Sequence, residues 1–262
     1  MTSDADDVRR VLKGISGVVD VDNFMLIGAK CRDILHADFS CETPLRMTRD
    51  VDLAMAAQGL ESFARLKEHF STKDRPWQEI CVDGMRSDVV PFGAVENPPG
   101  EVSPVDGIRF NVSCFKEVFD SAEHRDFGDG LCIRVPSYPG FAALKLHAWF
   151  DRAPGGVYKD ASDLALVLTW YESRQDLWDL FPDDDENFGV VAVMTAWVLG
   201  SEIAKTLGQE RTAELLQRFA QHQGPHLADK LFEGRGPSAP LQSRIEKVDA
   251  LQDGLRQGLD CE

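Results

Sequence analysis

The chain has 262 residues, 43% of them hydrophobic and 27% charged, and its formal net charge is −16 at pH 7. This composition indicates a globular protein with one large domain or two smaller ones. The acidic excess argues against broad, non-specific contact with nucleic acid, although it is compatible with a local basic patch.

The six cysteines form no C-x-x-C pair, and the histidines have no zinc-finger spacing. We therefore expect reduced thiols and no zinc finger. The N-terminus lacks a signal-peptide pattern, and no apolar run approaches the roughly 18 residues of a membrane-spanning helix. These features predict a cytoplasmic protein with no membrane partner.

The first 136 residues mix helical and strand patterns. Apolar residues at helical spacing predict helices over 4–13, 30–36, 60–70 and 115–119. Short apolar runs predict strands over 23–27, 78–82, 85–90, 108–112 and 131–135. Asp83-Gly84 is a hairpin signal between two of these strands, and residues 94–107 are expected to form a loop.

After Pro136 the pattern becomes helical to the end of the chain. Ser137 is expected to cap a helix that reaches Phe150, and further helical segments follow over 159–171, 187–207, 209–222, 225–233 and 240–258. The predicted fold class is therefore α+β. We expect a mixed-sheet N-terminal domain over 1–136 and a helical C-terminal domain over 137–262.

Asp50 and Asp52 lie in a predicted strand and are separated by one residue. Residues i and i+2 of a strand point to the same face, so both carboxylates are expected on one face, with Val51 and Leu53 on the other. Two like charges this close repel unless a cation lies between them. Mg²⁺, which prefers oxygen ligands, is the natural cation. Asp88, in a neighbouring predicted strand, is a third acid that could join them across the sheet.

Gly28 and Ala29 form a small-residue turn between the strand 23–27 and the following helix. Such a turn allows backbone N–H groups at the helix N-terminus to approach a phosphate. An ordinary strand-to-helix connection is the alternative interpretation of this short pattern.

The order of these features resembles the nucleotidyltransferase superfamily, whose fold is of the DNA polymerase β type. The segment from Arg46 to Asp52 is similar to the R-x-[ST]-x-D-[IVL]-D strand of the AbiEii-type bacterial nucleotidyltransferases, which include the MenT-type toxins. The segments 144–152 and 159–164 look like the K-L-x-A-x-x-x-R and [RK]-D-x-x-D-L helices of that group. The resemblance covers residues 20–170, and Ala29 departs from it, since many members carry Ser there.

The resemblance implies transfer of a nucleoside monophosphate from an NTP to an acceptor hydroxyl, with Mg²⁺ as cofactor. The implied metal ligands are Asp50, Asp52 and Asp88, of which Asp88 would also accept the proton of the hydroxyl. Lys145 is implied to reach the triphosphate as a further catalytic residue. The implied nucleotide contacts are Gly28, Ala29, Lys30, Arg46, Thr48, Asp160 and Asp163.

The acceptor implied by the resemblance is an RNA end, tRNA in particular, and the partner of such a toxin would be an antitoxin protein. The acidic net charge favours a second hypothesis, transfer to a small cationic molecule or to a protein side chain. A catalytically silent nucleotide-binding module is the third. Among the helical residues, Lys145 could instead be a solvated lysine, Asp163 could pair only with Arg152 or Lys159, and His147 is expected to be packed rather than catalytic.

Overall fold

The computed structural model describes residues 4–39, 48–71, 75–105, 108–179, 188–231 and 239–260. The chain divides into two compact units, Met1–Ser137 and Tyr138–Glu262. The described part of the first unit combines helices with a mixed β-sheet, and that of the second consists of helices and their connections. The protein is thus of mixed α and β structure, as the sequence predicts.

The first unit contains a six-stranded sheet, a separate two-stranded sheet and four α-helices in its described residues. Its helices are α1 (Asp4–Ser16), α2 (Gly28–Ala37), α3 (Glu61–Phe70) and α4 (Phe115–Ser121). Its strands are β1 (Phe24–Ile27), β2 (Val51–Ala57), β3 (Glu79–Val82), β4 (Met85–Gly93), β5 (Glu101–Val105), β6 (Ile108–Asn111), β7 (Glu123–Asp126) and β8 (Cys132–Val135).

The order of the six strands is β3-β4-β2-β1-β8-β7, and β5 pairs with β6. β2 runs antiparallel to β1 and parallel to β4, and β8 runs parallel to β1. The two inner strands β2 and β1 therefore lie between the hairpin β3–β4 and the pair β8–β7. This arrangement places the predicted acidic strands side by side, because β2 and β4 are direct neighbours.

Alternation of apolar and polar residues explains the core of this unit. Val51, Leu53 and Met55 of β2 are buried, whereas Asp52, which alternates with them, is only half-buried. Helix α1 covers the sheet with its apolar stripe, and a Cβ added to Gly14 would lie 2.2 Å from Cγ1 of Val82 in β3. The buried face of the sheet thus receives α1, and the face with Asp52 is left more open.

Two expectations for the first unit are wrong. The predicted loop over 94–107 contains strand β5, and strand β7 lies where the sequence predicts none. β7 reads Glu-His-Arg-Asp and forms one edge of the sheet, so it has no apolar alternation to reveal it. β5 contains Pro104 and pairs only with β6, which makes its pattern equally weak.

The second unit contains six helices in its described residues. They are α5 (Tyr138–Arg152), α6 (Lys159–Glu172), α7 (Gln175–Trp178), α8 (Phe188–Gln221), α9 (Leu227–Lys230) and α10 (Leu241–Asp260). Gly208 breaks the regular path of α8 with φ of 69°, at the point where the sequence predicts a boundary between two helices. The short helix α7 is an addition to the predicted set.

Within α8, the segment 189–221 is long and apolar enough to cross a membrane, judged by length and composition alone. Half of its most apolar stretch is buried inside the structure. Because a core helix of a soluble protein has the same properties, this segment is only a weak indication of a membrane span.

Helices α8 and α10 cross at glycines that allow their backbones to meet. A Cβ added to Gly200 would lie 2.1 Å from the carbonyl oxygen of Leu251, and one added to Gly254 would lie 2.0 Å from that of Trp197. Both neighbours are backbone atoms, which cannot move aside as a flexible side chain can. The close crossing therefore requires glycine at both positions.

We expect Gly254→Val to lower the free energy of unfolding by about 2 to 3 kcal/mol, because the added side chain overpacks the crossing. Chemical denaturation of the purified protein measures this change. Gly189→Ala in the same helix pair is the matched control, since a Cβ there meets no atom within 4 Å. Equal stabilities of the two variants would contradict the close crossing.

Candidate active site

The predicted acids of the first unit come together on neighbouring strands. Asp52 of β2 is in register with Asp88 of β4, and on its other side it faces Ile27, the last residue of β1. Asp50 lies directly before β2, where the side-chain oxygen of Thr48 accepts a hydrogen bond from its backbone N–H at 3.3 Å. Three carboxylates therefore lie at one end of the parallel pair β2–β4.

The electrostatics of Asp88 reflect this crowding. Burial raises the pKa of its carboxyl group, and the negative charge of Asp52 raises it further. A hydrogen bond from the side chain of Gln78 acts in the opposite direction, while Glu79 and Asp50 add to the increase. The net shift is upward, so the anionic form of Asp88 lacks full compensation from its neighbours.

Gly28 lies against this acidic cluster at the start of α2. Its φ of 70° is in the left-handed region, and a Cβ built on it would lie 1.9 Å from Oδ2 of Asp52. Glycine is therefore required both by the backbone conformation and by the close approach of the carboxylate. Ile27 gives α2 no side-chain cap, so the first N–H groups of the helix, from Gly28 and Ala29 onward, begin beside Asp52.

The predicted cations near this cluster are placed differently. Lys30 is buried and its Nζ lies 2.6 Å from Oδ1 of Asp4 and 2.7 Å from Oδ2 of Asp7. Burial alone would lower the pKa of Lys30, but its hydrogen bonds to these two aspartates outweigh that effect and the net shift is upward. In this structure the ammonium ties α1 to α2, and its phosphate contact stays a prediction. Arg46 lies outside the described residues.

In the second unit the structure brings Lys145, Asp160 and Asp163 together. Nζ of Lys145 lies 2.7 Å from Oδ2 of Asp163 and 3.6 Å from Oδ1 of Asp160. Arg152 donates to both oxygens of Asp160, at 3.1 and 3.0 Å. Lys145, Asp160 and Asp163 are all buried. Lys145 is therefore a fixed, paired cation rather than a solvated one.

The donor chemistry of the first cluster suits a hard cation. Among the described residues, no three His, Cys, Asp or Glu side chains already stand close enough to form a ligand set. Mg²⁺ does not need one, because it usually binds one or two carboxylates and takes its remaining ligands from water and substrate phosphates. Burial and then the charge of Asp52 raise the pKa of Asp88, and a cation between the two carboxylates would relieve the repulsion between them.

Sequence reasoning missed one part of this cluster, the buried Glu79 of β3 with its two arginine partners. Arg75 binds one of its carboxylate oxygens, and Arg86 binds the other at 3.1 Å. Glu79 is in register with Asp88. The two-residue turn predicted at Asp83-Gly84 fixes that register by simple counting along the hairpin, so the sequence already held the signal.

His147 is buried in the second unit, as expected for a packed residue. Nη1 of Arg218 lies 3.0 Å from its Nδ1, and because a guanidinium can only donate, Nδ1 accepts and the ring is neutral. Burial, followed by the charge of Arg218, lowers the pKa of His147 from 6.5 to about 4. His147 is therefore a neutral structural histidine at pH 7.

Comparison of the sequence with models of known families gives no match, and comparison with curated proteins gives none either. The nucleotidyltransferase resemblance therefore rests on the motifs of the chain and stays a prediction. The geometry of the two clusters must carry any statement about function.

We expect Lys145→Met to lower the free energy of unfolding by about 3 kcal/mol, because it leaves the buried Asp163 without its ammonium partner. Chemical denaturation measures the loss. The double variant Lys145→Met/Asp163→Leu should recover a large part of it, since both charges are then removed. No recovery in the double variant would show that the pair is not the source of the effect.

We expect stability to fall as the pH is lowered from 6.5 to about 4. The pKa of His147 is lower in the folded protein than in the unfolded chain, so unfolding takes up a proton in this window and stability is retained above it. This histidine contributes a slope of up to roughly 1.4 kcal/mol per pH unit. Denaturation of His147→Gln at several pH values should give a shallower slope than the wild type. His124→Gln, at an exposed position of β7, is the control, and a wild-type slope in His147→Gln would refute the assignment.

Proposed function

We propose that the protein is an Mg²⁺-dependent nucleotidyltransferase that moves a nucleoside monophosphate from an NTP to an acceptor hydroxyl. The observation that carries the proposal is the pairing of Asp52 with Asp88 on parallel neighbouring strands, with Gly28 packed against Asp52. Asp50, two residues before Asp52, adds a third carboxylate. This combination of acids and an uncapped helix start suits a metal-bound triphosphate.

The carboxylates of Asp50, Asp52 and Asp88 would hold the metal. Bound Mg²⁺ would neutralise the negative charge that develops on the phosphate oxygens during transfer. The apolar residues that alternate with Asp52 are buried and keep its strand fixed, so Asp52 and Asp88 are carried by strands, and Asp50 lies directly before β2.

The start of α2 is the proposed binding site for the triphosphate. Backbone N–H groups at a helix N-terminus bind anions, and the helix dipole favours them there. The absence of a Cβ at Gly28 is what allows the helix start and Asp52 to lie in contact. Ala29 would contribute its backbone N–H to this site, and Thr48 and Arg46 are proposed contacts on the segment before β2.

Asp88 is the proposed general base. A carboxylate beside the metal would accept the proton of the attacking hydroxyl, whose acidity bound Mg²⁺ would raise. The acceptor oxygen forms a bond to the α-phosphorus, and its proton passes to Asp88. The bond between the α-phosphorus and the bridging oxygen breaks, and pyrophosphate leaves with the electron pair of that bond.

The assignment of Lys145 to the nucleotide rests on the resemblance alone. Within the second unit, the carboxylates of Asp160 and Asp163 hold its ammonium group in place. In keeping with the AbiEii-type and MenT-type resemblance, we propose an RNA end as the acceptor, tRNA in particular, and an antitoxin protein as a partner.

The test is a transfer assay with Mg²⁺, each α-labelled NTP in turn and a pool of small RNAs. We expect Asp52→Asn and Asp88→Asn each to reduce transfer at least about a hundredfold, since each removes a metal ligand or the base. Glu123→Gln, an exposed acid on the edge strand β7, should transfer at the wild-type rate.

Two outcomes would contradict the proposal. One is an active wild type whose Asp52→Asn and Asp88→Asn variants retain full activity. The other is a wild type that transfers no label to RNA, to small cationic acceptors or to itself, which would leave a nucleotide-binding module without catalysis.

A further inference from the structure

The buried carboxylate of Glu79 holds two guanidinium groups, one on each oxygen. Arg75, which precedes β3, binds Oε1, and Arg86 of β4 binds Oε2. Two guanidinium groups thus share this one carboxylate. The side chains of Arg75 and Arg86 are 40% and 57% exposed. Both guanidinium groups are therefore partly accessible to solvent while each is held by its bond to Glu79.

This arginine pair lies directly beside the acidic cluster. Glu79, Asp88 and Asp52 are in register across the three strands β3, β4 and β2. Arg86 lies two residues before Asp88 on β4, so the two side chains project from the same face of the sheet. The pair thus borders the proposed catalytic residues on the β3 side.

An aromatic residue stands next to the pair in the chain. Trp77, between Arg75 and Glu79, is partly exposed and stacks on Phe63 with ring centroids 4.2 Å apart. Phe110 of β6 lies 5.8 Å from the same indole. An indole held in this way, two residues from Arg75 along the chain, is a group on which an unpaired nucleobase can stack.

The order of the strands assigns the two anion sites to different substrates. Gly28 and the start of α2 follow β1, on one side of Asp52 and Asp88, whereas Arg75 and Arg86 lie on the other side, toward β3. In an in-line displacement the leaving and attacking oxygens lie on opposite sides of the transferred phosphorus. If pyrophosphate leaves at the start of α2, the attacking hydroxyl comes from the side of the arginine pair.

We propose that Arg75 and Arg86, fixed by Glu79, bind backbone phosphates of a single-stranded nucleic-acid acceptor, with Trp77 stacking on one of its bases. This inference rests on the proposed function, which it deepens by naming the acceptor site. Paired guanidinium groups favour phosphate geometry over any other common anion except carboxylate. Two exposed arginines would repel a small cationic acceptor, whereas they attract the phosphates of a nucleic acid. The pair therefore favours the nucleic acid as the acceptor.

Binding of a fluorescein-labelled single-stranded RNA 12-mer, followed by anisotropy over a range of salt concentrations, tests the site without any need for turnover. We expect Arg75→Gln and Arg86→Gln each to weaken RNA binding about tenfold and to reduce the slope of log affinity against log salt by about 0.7. Trp77→Ala should weaken binding by about tenfold or more with the slope unchanged. Affinity for Mg²⁺-NTP, measured separately by calorimetry, should stay at the wild-type value in all three variants.

Two further variants control for folding and for general charge. Removing both arginines leaves a buried carboxylate without partners, so the combined variant is Arg75→Gln/Glu79→Gln/Arg86→Gln, which leaves no orphan charge. Arg125→Gln removes a comparable half-exposed arginine of β7, at the far edge of the sheet. Its ion-pair partner is Asp38, directly after α2. The Arg125→Gln variant should bind RNA and NTP as the wild type does, and the thermal melt of every variant reports whether it is folded.

Three results would overturn the inference. A wild type that binds no RNA would do so, as would variants whose RNA affinity is unchanged. A loss of NTP affinity with intact RNA affinity would also do so, since it would assign the arginines to the triphosphate. The proposed function can fail independently of this inference. If RNA binds through this pair but no label is transferred, the RNA-binding site is supported and the nucleotidyltransferase activity is not. If transfer persists in variants without the pair, the activity is supported and the RNA-binding site is not.

Discussion

In the first unit, several carboxylates are placed side by side on neighbouring strands, where they repel one another. The register of β3, β4 and β2 sets Glu79, Asp88 and Asp52 side by side, and Asp50 lies two residues before Asp52. Two of these carboxylates, Glu79 and Asp88, differ in how their charge is balanced. Glu79 is neutralised from within by arginines, whereas the carboxyl group of Asp88 keeps a raised pKa. Glu79 is therefore a structural carboxylate, whereas Asp88 is proposed to bind a ligand, although the two residues occupy equivalent positions on neighbouring strands.

Several other buried charges in the described residues are also shared among more than one partner. Lys30 lies between two aspartates, Lys145 lies between two aspartates, and Asp160 contacts both Lys145 and Arg152. A buried ion is tolerated only when opposite charges and hydrogen bonds replace its lost hydration. These clusters fix helix positions within each unit, so the residues proposed to act on the nucleotide also belong to the framework that supports them.

Much of this arrangement was predictable from the sequence, and the part that was not has a physical explanation. The strand carrying Asp52, the turn at Gly28 and the helical second half follow from apolar spacing and small residues, which are local signals. The hairpin turn at Asp83-Gly84 even fixes Glu79 opposite Asp88. Local signals cannot identify which charged residues pair with each other in the folded chain. Lys30 is a plausible phosphate ligand in the sequence, but in the structure it pairs with Asp4 and Asp7 of α1. The sequence does not predict β7, because this edge strand consists of polar residues and has no alternation of apolar and polar residues.

The glycine crossing of α8 and α10 has a consequence for how the protein is made. Gly200 meets α10 near Leu251, and Ala204 meets Gly258 in the last turns of that helix. During synthesis α8 leaves the ribosome first, and about half of its most apolar stretch is buried only in the finished structure. The face of α8 that α10 covers therefore stays exposed until α10 has been translated. Over that interval the nascent chain depends on slow aggregation or on chaperones.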